Sequence, residues 1–222
     1  MKRALMYLGV FALCGSLAVP AAAGEQGWHL RVFAAGIDPD LDETIENGDG
    51  DDIRVTSGTD LGIGASLEYQ FTDLLGIDVG GFSGSPDVEL SADIPGYGVL
   101  SVRDAMSTQV LTLDLNFHVT PNSTSFDVYL GAGFAYLWYG DLHYDGPEVA
   151  EPLSFRTDND LGWSAKANVA IALGKTSDWT AFGGLRYIWS NLEGTEADDP
   201  NAGSESFSFN IFSFSVGIGY SF

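Results

Sequence analysis

A chain of 222 residues, 45% of them hydrophobic, is long enough for one domain with a sizeable core. Nine basic residues against 31 acidic ones leave a net charge of −22, which excludes nucleic acid as a partner, because phosphate binding needs clustered Lys and Arg. The one cysteine, Cys14, lies in an amino-terminal leader, so the chain beyond that leader has neither a disulfide framework nor a thiol nucleophile.

Residues 1–23 carry the three parts of a secretory signal. Lys2 and Arg3 form the positive start, residues 4–19 the apolar stretch, and Ala21-Ala22-Ala23 the small-residue cleavage site before Gly24. The apolar stretch is shorter than the ~20 residues a membrane-spanning helix needs. The expected division is therefore a signal peptide at 1–23, removed on export, and a single domain at 24–222.

Beyond residue 24 the chain alternates apolar with polar or small residues, the period-2 signature of strands. Eight segments follow in order, roughly 27–37, 59–71, 75–83, 105–119, 126–138, 161–173, 179–190 and 207–222. In 126–138, Phe126, Val128, Leu130, Ala132, Phe134, Tyr136 and Trp138 share one face, while Asp127, Tyr129, Gly131, Gly133, Ala135 and Leu137 share the other. The alternation slips near Ile211-Phe212, where a bulge or an extension above the membrane is expected.

The connections alternate as well. Residues 72–74, 120–125 and 174–178 are short turns; the other connections are long and acidic, and 23 of the 31 acids fall in 38–57, 84–104, 140–160 and 191–206. An even number of strands joined by alternately short and long connections predicts an all-β fold: an eight-stranded antiparallel transmembrane β-barrel with short periplasmic turns and long acidic extracellular loops. Aromatic residues gather at the strand ends, with Trp28, Tyr69, Phe71, Phe117 and Phe126 at one rim and Trp138, Trp163 and Trp189 towards the other. Such girdles suit the two membrane interfaces, and the predicted location is the bacterial outer membrane, in contact with its lipid and lipopolysaccharide.

With the apolar face turned to lipid, Arg31, Glu68, Asp78, Asp114, Lys166 and Arg186 point inward, together with His118. A lumen of eight strands is narrow enough to be filled by side chains, so these charges are expected to pair and plug it. Phe82, Leu137 and Ile188 also point inward, towards the extracellular half. Neither a nucleophile motif nor a paired metal-ligand spacing accompanies the three histidines, so no enzyme and no cofactor are expected. In the first loop Asp49, Asp51 and Asp52 lie close together but miss the glycine and glutamate of a calcium loop. They remain candidates for weak divalent-cation binding beside a solvated-loop reading.

Several short motifs resemble the outer-membrane protein W (OmpW-like) family: WHLRVFAAG at 28–36, the strand–turn–strand of 61–75, VYLGAGFAY at 128–136, GLRY at 184–187 and GIGYSF at 217–222. The resemblance implies a passive, porin-like route for small hydrophobic solutes, entering from outside and leaving sideways into the membrane above a blocked lumen. On that reading Phe82, Leu137, Trp138 and Ile188 line the route, and the six inward charges form the plug. A structural or interaction barrel, whose acidic loops bind cations, lipopolysaccharide or external partners, stands as the alternative.

Overall fold

The computed structural model describes residues 27–46, 52–94, 98–120, 125–144, 153–174, 177–196 and 205–222, and the expected signal peptide lies outside them. Eight strands close into one antiparallel barrel: β1 (Gly27–Asp40), β4 (Asp60–Gln70), β5 (Leu75–Gly84), β8 (Thr108–His118), β9 (Phe126–Tyr139), β12 (Asp160–Ala172), β13 (Trp179–Trp189) and β16 (Asn210–Ser221). Neighbours in sequence are neighbours in the wall, and the first strand meets the last. That seam pairs His29 with Ser221 through to Asp40 with Asn210. It is finished by reciprocal backbone bonds of Trp28 and Phe222, at 3.0 and 2.9 Å.

Alternation gives the wall its two sides. The outward residues are large, apolar and exposed, as at Leu113 and Val216, which are 51% and 59% accessible. Such a surface is tolerable only against hydrocarbon. It is bounded by two aromatic belts. Trp28 packs on Tyr69 and Trp179 on Tyr220 at the end that carries the termini, with ring centroids 4.8 and 5.0 Å apart. At the other end Phe134 packs on Trp163, Tyr136 on Trp138 and Tyr187 on Trp189, at 4.5, 4.6 and 4.8 Å. The terminal end is tied by tight turns. The Thr72 side-chain oxygen accepts the Leu75 amide at 2.9 Å, and Gly174 opens another turn with φ of +143°, a conformation that favours glycine. Short turns mark this end as periplasmic.

Beyond the opposite belt the chain does not dissolve into loops, as the acidic composition of those segments had suggested. Eight further strands, β2 (Asp42–Glu46), β3 (Asp52–Ser57), β6 (Asp87–Ile94), β7 (Gly98–Ala105), β10 (Leu142–Tyr144), β11 (Leu153–Thr157), β14 (Asn191–Glu196) and β15 (Glu205–Ser208), continue the four hairpins outward. They form two separate four-stranded sheets, ordered β2-β3-β6-β7 and β10-β11-β14-β15. The wall thus divides above the membrane into two halves. The pairing of β14 with β15 continues the register of β13 with β16, with Ile188 opposite Ile211 and then Asn191 opposite Ser208, whereas that of β11 with β14 is shifted by one residue from that of β12 with β13.

The expected slip at Ile211-Phe212 is not a bulge, since both residues stay in register with β1 and β13. The break falls at Phe209, between β15 and β16. Phe209 and Ile211 are both completely buried. The pattern blurred because the inward face itself becomes apolar here.

The level of the bilayer can be checked by charge. Leu113→Arg, in the middle of the lipid face, is expected to destabilise the folded barrel by about 2–4 kcal/mol in a urea titration in vesicles. Val99, in β7 of the crown, is 72% exposed, and Val99→Arg is expected to change stability by no more than about 0.5 kcal/mol. Equal losses at both positions would place the membrane boundary elsewhere.

Candidate functional site

The lower lumen is held by one continuous chain of charges, each supplied by a different position on the inward faces. Arg31 of β1 donates from Nη2 to Glu68 at 2.6 Å and from Nη1 to Asp78 at 3.2 Å. Lys166 of β12 spans Asp78 and Asp114 at 3.0 and 3.1 Å. Arg186 of β13 reaches Asp114 at 2.8 Å. The structure therefore brings together all six charges read from the sequence. Strand twist and stagger decide the partners: Glu68 and Asp78 are opposite in register, yet Arg31 of a third strand neutralises both.

Five further residues join the network; the sequence had turned His118, Asp127 and Tyr129 inward without giving them partners, and had left Asn116 and Ser164 unassigned. His118 places Nδ1 at 2.7 Å from Asp127 and Nε2 at 3.0 Å from Glu68. Ionised carboxylates only accept, so both ring nitrogens donate and the ring is a cation. With it the network holds four acids and four bases. Asn116 donates to Glu68 at 2.7 Å, and Ser164 donates to Asp114 at 2.5 Å while accepting from Arg186 at 3.2 Å. Tyr129 lies under the Arg31 guanidinium, 4.8 Å from ring centroid to Cζ. The inward register of 126–138 was the available signal for Asp127; pairing across the barrel had none. A serine–histidine hydrolase is not assembled at His118, because carboxylates occupy both of its nitrogens and Ser164 is engaged elsewhere.

Above this network the inward residues turn apolar. Phe82, Leu137 and Ile188, three of the four expected route residues, join a buried cluster with Ile37, Met106 and Ile211. Leu137 and Ile188 are inaccessible to solvent, so the upper lumen is packed shut by its own side chains. Trp138 departs from expectation. One position on from the inward Leu137, it points outward and packs edge-on against Tyr136 in the upper aromatic belt, as alternation requires. Leu90, Val102 and Phe207 of the crown sheets pack on the same cluster from above. Between the apolar and charged layers lies a cavity of about 40 Å³. Of the proposed cation ligands, Asp49 and Asp51 lie outside the described residues, and Asp52 opens β3 opposite Glu46. No cluster of three metal-ligating side chains occurs among the described residues.

Breaking a buried pair leaves a charge without compensation. Glu68 is fully buried with three partners, and Glu68→Gln is expected to cost about 3–5 kcal/mol in urea unfolding. The Asp127 side chain is 31% exposed at the periplasmic rim, and Asp127→Asn is expected to cost about 1 kcal/mol or less. Similar losses would show that depth does not set the strength of this network.

Among solved structures, OprG from Pseudomonas aeruginosa superposes with a TM-score of 0.68 at 16% identity, covering 89% of this chain and 96% of that one. AlkL in DMPC lipid bilayers gives 0.62 at 19% identity, over 92% and 94%. Neisserial surface protein A gives 0.54 at 13% identity, over 91% and 100%. At such identities the likeness is one of fold, that of a small outer-membrane barrel as the OmpW-like resemblance implied. No curated protein matches the chain. Residues 9–222 match the family described as outer membrane protein beta-barrel domain, and the chain belongs to that family.

Proposed function

We propose that this barrel, exported and freed of residues 1–23, passes small hydrophobic solutes from the cell exterior into the outer membrane. The observation that carries the reading is the vertical division of the lumen. Apolar side chains run from Leu90, Val102 and Phe207 in the crown to Phe33 and Phe82 in the barrel. Every fully buried charge of the described residues sits below them, in one network. An apolar solute entering between the two crown sheets meets surface it can wet, whereas the charged layer beneath would have to be desolvated for it to pass. Its exit is therefore sideways. Gly80 and Gly81 of β5 line the cavity at the junction of the two layers and bring no side chain of their own to the wall there. Phe82, Leu137 and Ile188 form the gate, and Met106, also fully buried, is its most adaptable member.

The acids of the crown support a second reading, in which divalent cations bridge this surface to anionic lipopolysaccharide or to an external partner. On β3 and β7 the crown also carries exposed ion pairs, Arg54 with Asp42 at 2.8 Å and Arg103 with Glu89 at 2.6 Å. These hold the Asp42 and Glu89 carboxyls below their ordinary range. With Asp87, which Arg103 also meets at 3.7 Å, they engage three of the crown's acids in internal pairs.

The two readings part in an uptake assay. Cells expressing the barrel are expected to accumulate a labelled medium-chain alkane faster than cells without it. Ile188→Asn buries an amide with no partner, a penalty of about 1–3 kcal/mol, so uptake should fall about tenfold. Met106→Ala should raise it. A gel-mobility shift on heating verifies insertion of each variant. Uptake that does not respond to the inserted wild-type barrel sinks the carrier and leaves the acidic crown as the working surface.

A further inference from the structure

The cavity between the two layers has a wall whose chemistry neither packing nor hydrocarbon passage requires. All three cationic side chains of the lower network other than His118, namely Arg31, Lys166 and Arg186, line it, and no carboxylate does. Their acids are not among the residues that line it. Arg31 commits its two terminal nitrogens to Glu68 and Asp78, and Arg186 commits its own to Asp114 and Ser164. A guanidinium has five N–H groups, so each arginine keeps donors beyond those bonds. Five hydroxyl-bearing residues, Ser66, Thr112, Tyr129, Ser213 and Ser215, line the same space. Phe82 faces the space from the apolar layer above, while Phe33 stands edge-on at 5.9 Å to Phe182, which packs with Tyr129 on the periplasmic side.

We infer that this cavity binds the carboxylate of a small aliphatic acid, with the charged group on the three cations and the alkyl end against Phe33 and Phe82. Size, charge and polarity each narrow the choice. Its volume of about 40 Å³ is enough for about three waters at 10–15 Å³ each, so the three heavy atoms of a carboxylate fit as it stands, and the alkyl end enters by displacing the apolar side chains above. A cation is excluded by three like charges in the wall. A bare inorganic anion leaves the aromatic side unused, and an uncharged alkyl alcohol leaves the guanidinium donors without a charged acceptor, the stronger kind of bond. Arginine suits the task, since its planar fork fits a carboxylate in bidentate fashion. The site stands whether or not alkanes cross the barrel, because it rests on the cavity wall alone.

Butyrate and 1-butanol, which share an alkyl chain, provide the test, with sodium chloride at the same ionic strength as the reference. The full barrel in lipid nanodiscs is titrated with each, and binding is read by saturation-transfer NMR on the ligand methyl group. Butyrate is expected to saturate and to bind at least tenfold more tightly than butanol. Ser215→Leu fills the cavity without touching a charge, and is expected to weaken butyrate at least tenfold. Arg186→Gln, at the least buried of the three cations, should do the same, and a heat-induced mobility shift verifies that both variants are folded. Butanol binding as tightly as butyrate would overturn the inference. So would butyrate binding that Ser215→Leu leaves unchanged, or no saturation above the chloride reference.

Discussion

The constraint from which the rest follows is that hydrocarbon offers no hydrogen bonds. Every backbone N–H and C=O of a spanning segment must find a partner within the protein, and a sheet can manage this only by closing on itself. Here closure is made by β1 and β16, whose ladder runs from His29 opposite Ser221 to Asp40 opposite Asn210. Once the wall is closed, period-2 alternation leaves no freedom about sides: Val32, Leu113 and Ile218 go to lipid, and Arg31, Asp114 and Gly217 go inside. Outside the hydrocarbon that constraint is lifted, and the wall responds. Above the upper aromatic belt water satisfies unpaired edges, so the ring opens into two sheets, which touch on one side where the His143 amide donates to Asp104 at 2.8 Å.

Closure at eight strands makes the interior narrow, and a narrow interior must be filled. Two fillings coexist, stacked along the axis. A buried ion pair recovers its desolvation cost only with good geometry and further hydrogen bonds. Asp78 and Asp114 meet this by sharing Lys166 and each taking an arginine as well. Removing one member therefore strands several. Apolar packing carries no such debt and can yield one side chain at a time. The lower lumen is consequently rigid and the upper one deformable, although both are equally closed to solvent in the structure.

The sequence revealed the strands because lipid enforces alternation over ten or more residues, and all eight barrel strands lie where the pattern placed them. It revealed which charges point inward for the same reason. Pairing was not legible. Arg31 lies beside Ser66 and Gly219 in register but bonds Glu68 and Asp78, because long side chains cross a lumen whose stagger no local pattern encodes. The crown was hidden for another reason. Water on its outer surface relaxes alternation, and residues such as Asp42, Glu89 and Glu193 look like loop. Phe209 and Ile211 misled in the opposite sense, since an apolar inward face erases the contrast on which the reading depends. Trp138 shows the limit of reasoning by residue type: an aromatic next to Leu137 looked like part of a lining, yet the parity of its position had already put it on the lipid side.

Single strands record the division of the lumen. The inward residues of β8, from crown to periplasm, are Thr108, Val110, Thr112, Asp114, Asn116 and His118; those of β1, in the same direction, are Ile37, Ala35, Phe33, Arg31 and His29. On both strands polarity rises towards the periplasm, and the change falls at the level of the cavity that Phe33, Thr112 and Arg31 share. A solute descending the apolar layer gains nothing from the next step, because the charges below already neutralise one another. An apolar molecule is stopped there and turned towards the wall. A molecule with a carboxylate at one end meets spare guanidinium donors at that same level and is held. One boundary can thus release one class of solute and retain another. The difference rests on whether Arg31 and Arg186 find an acceptor beyond those that already neutralise them.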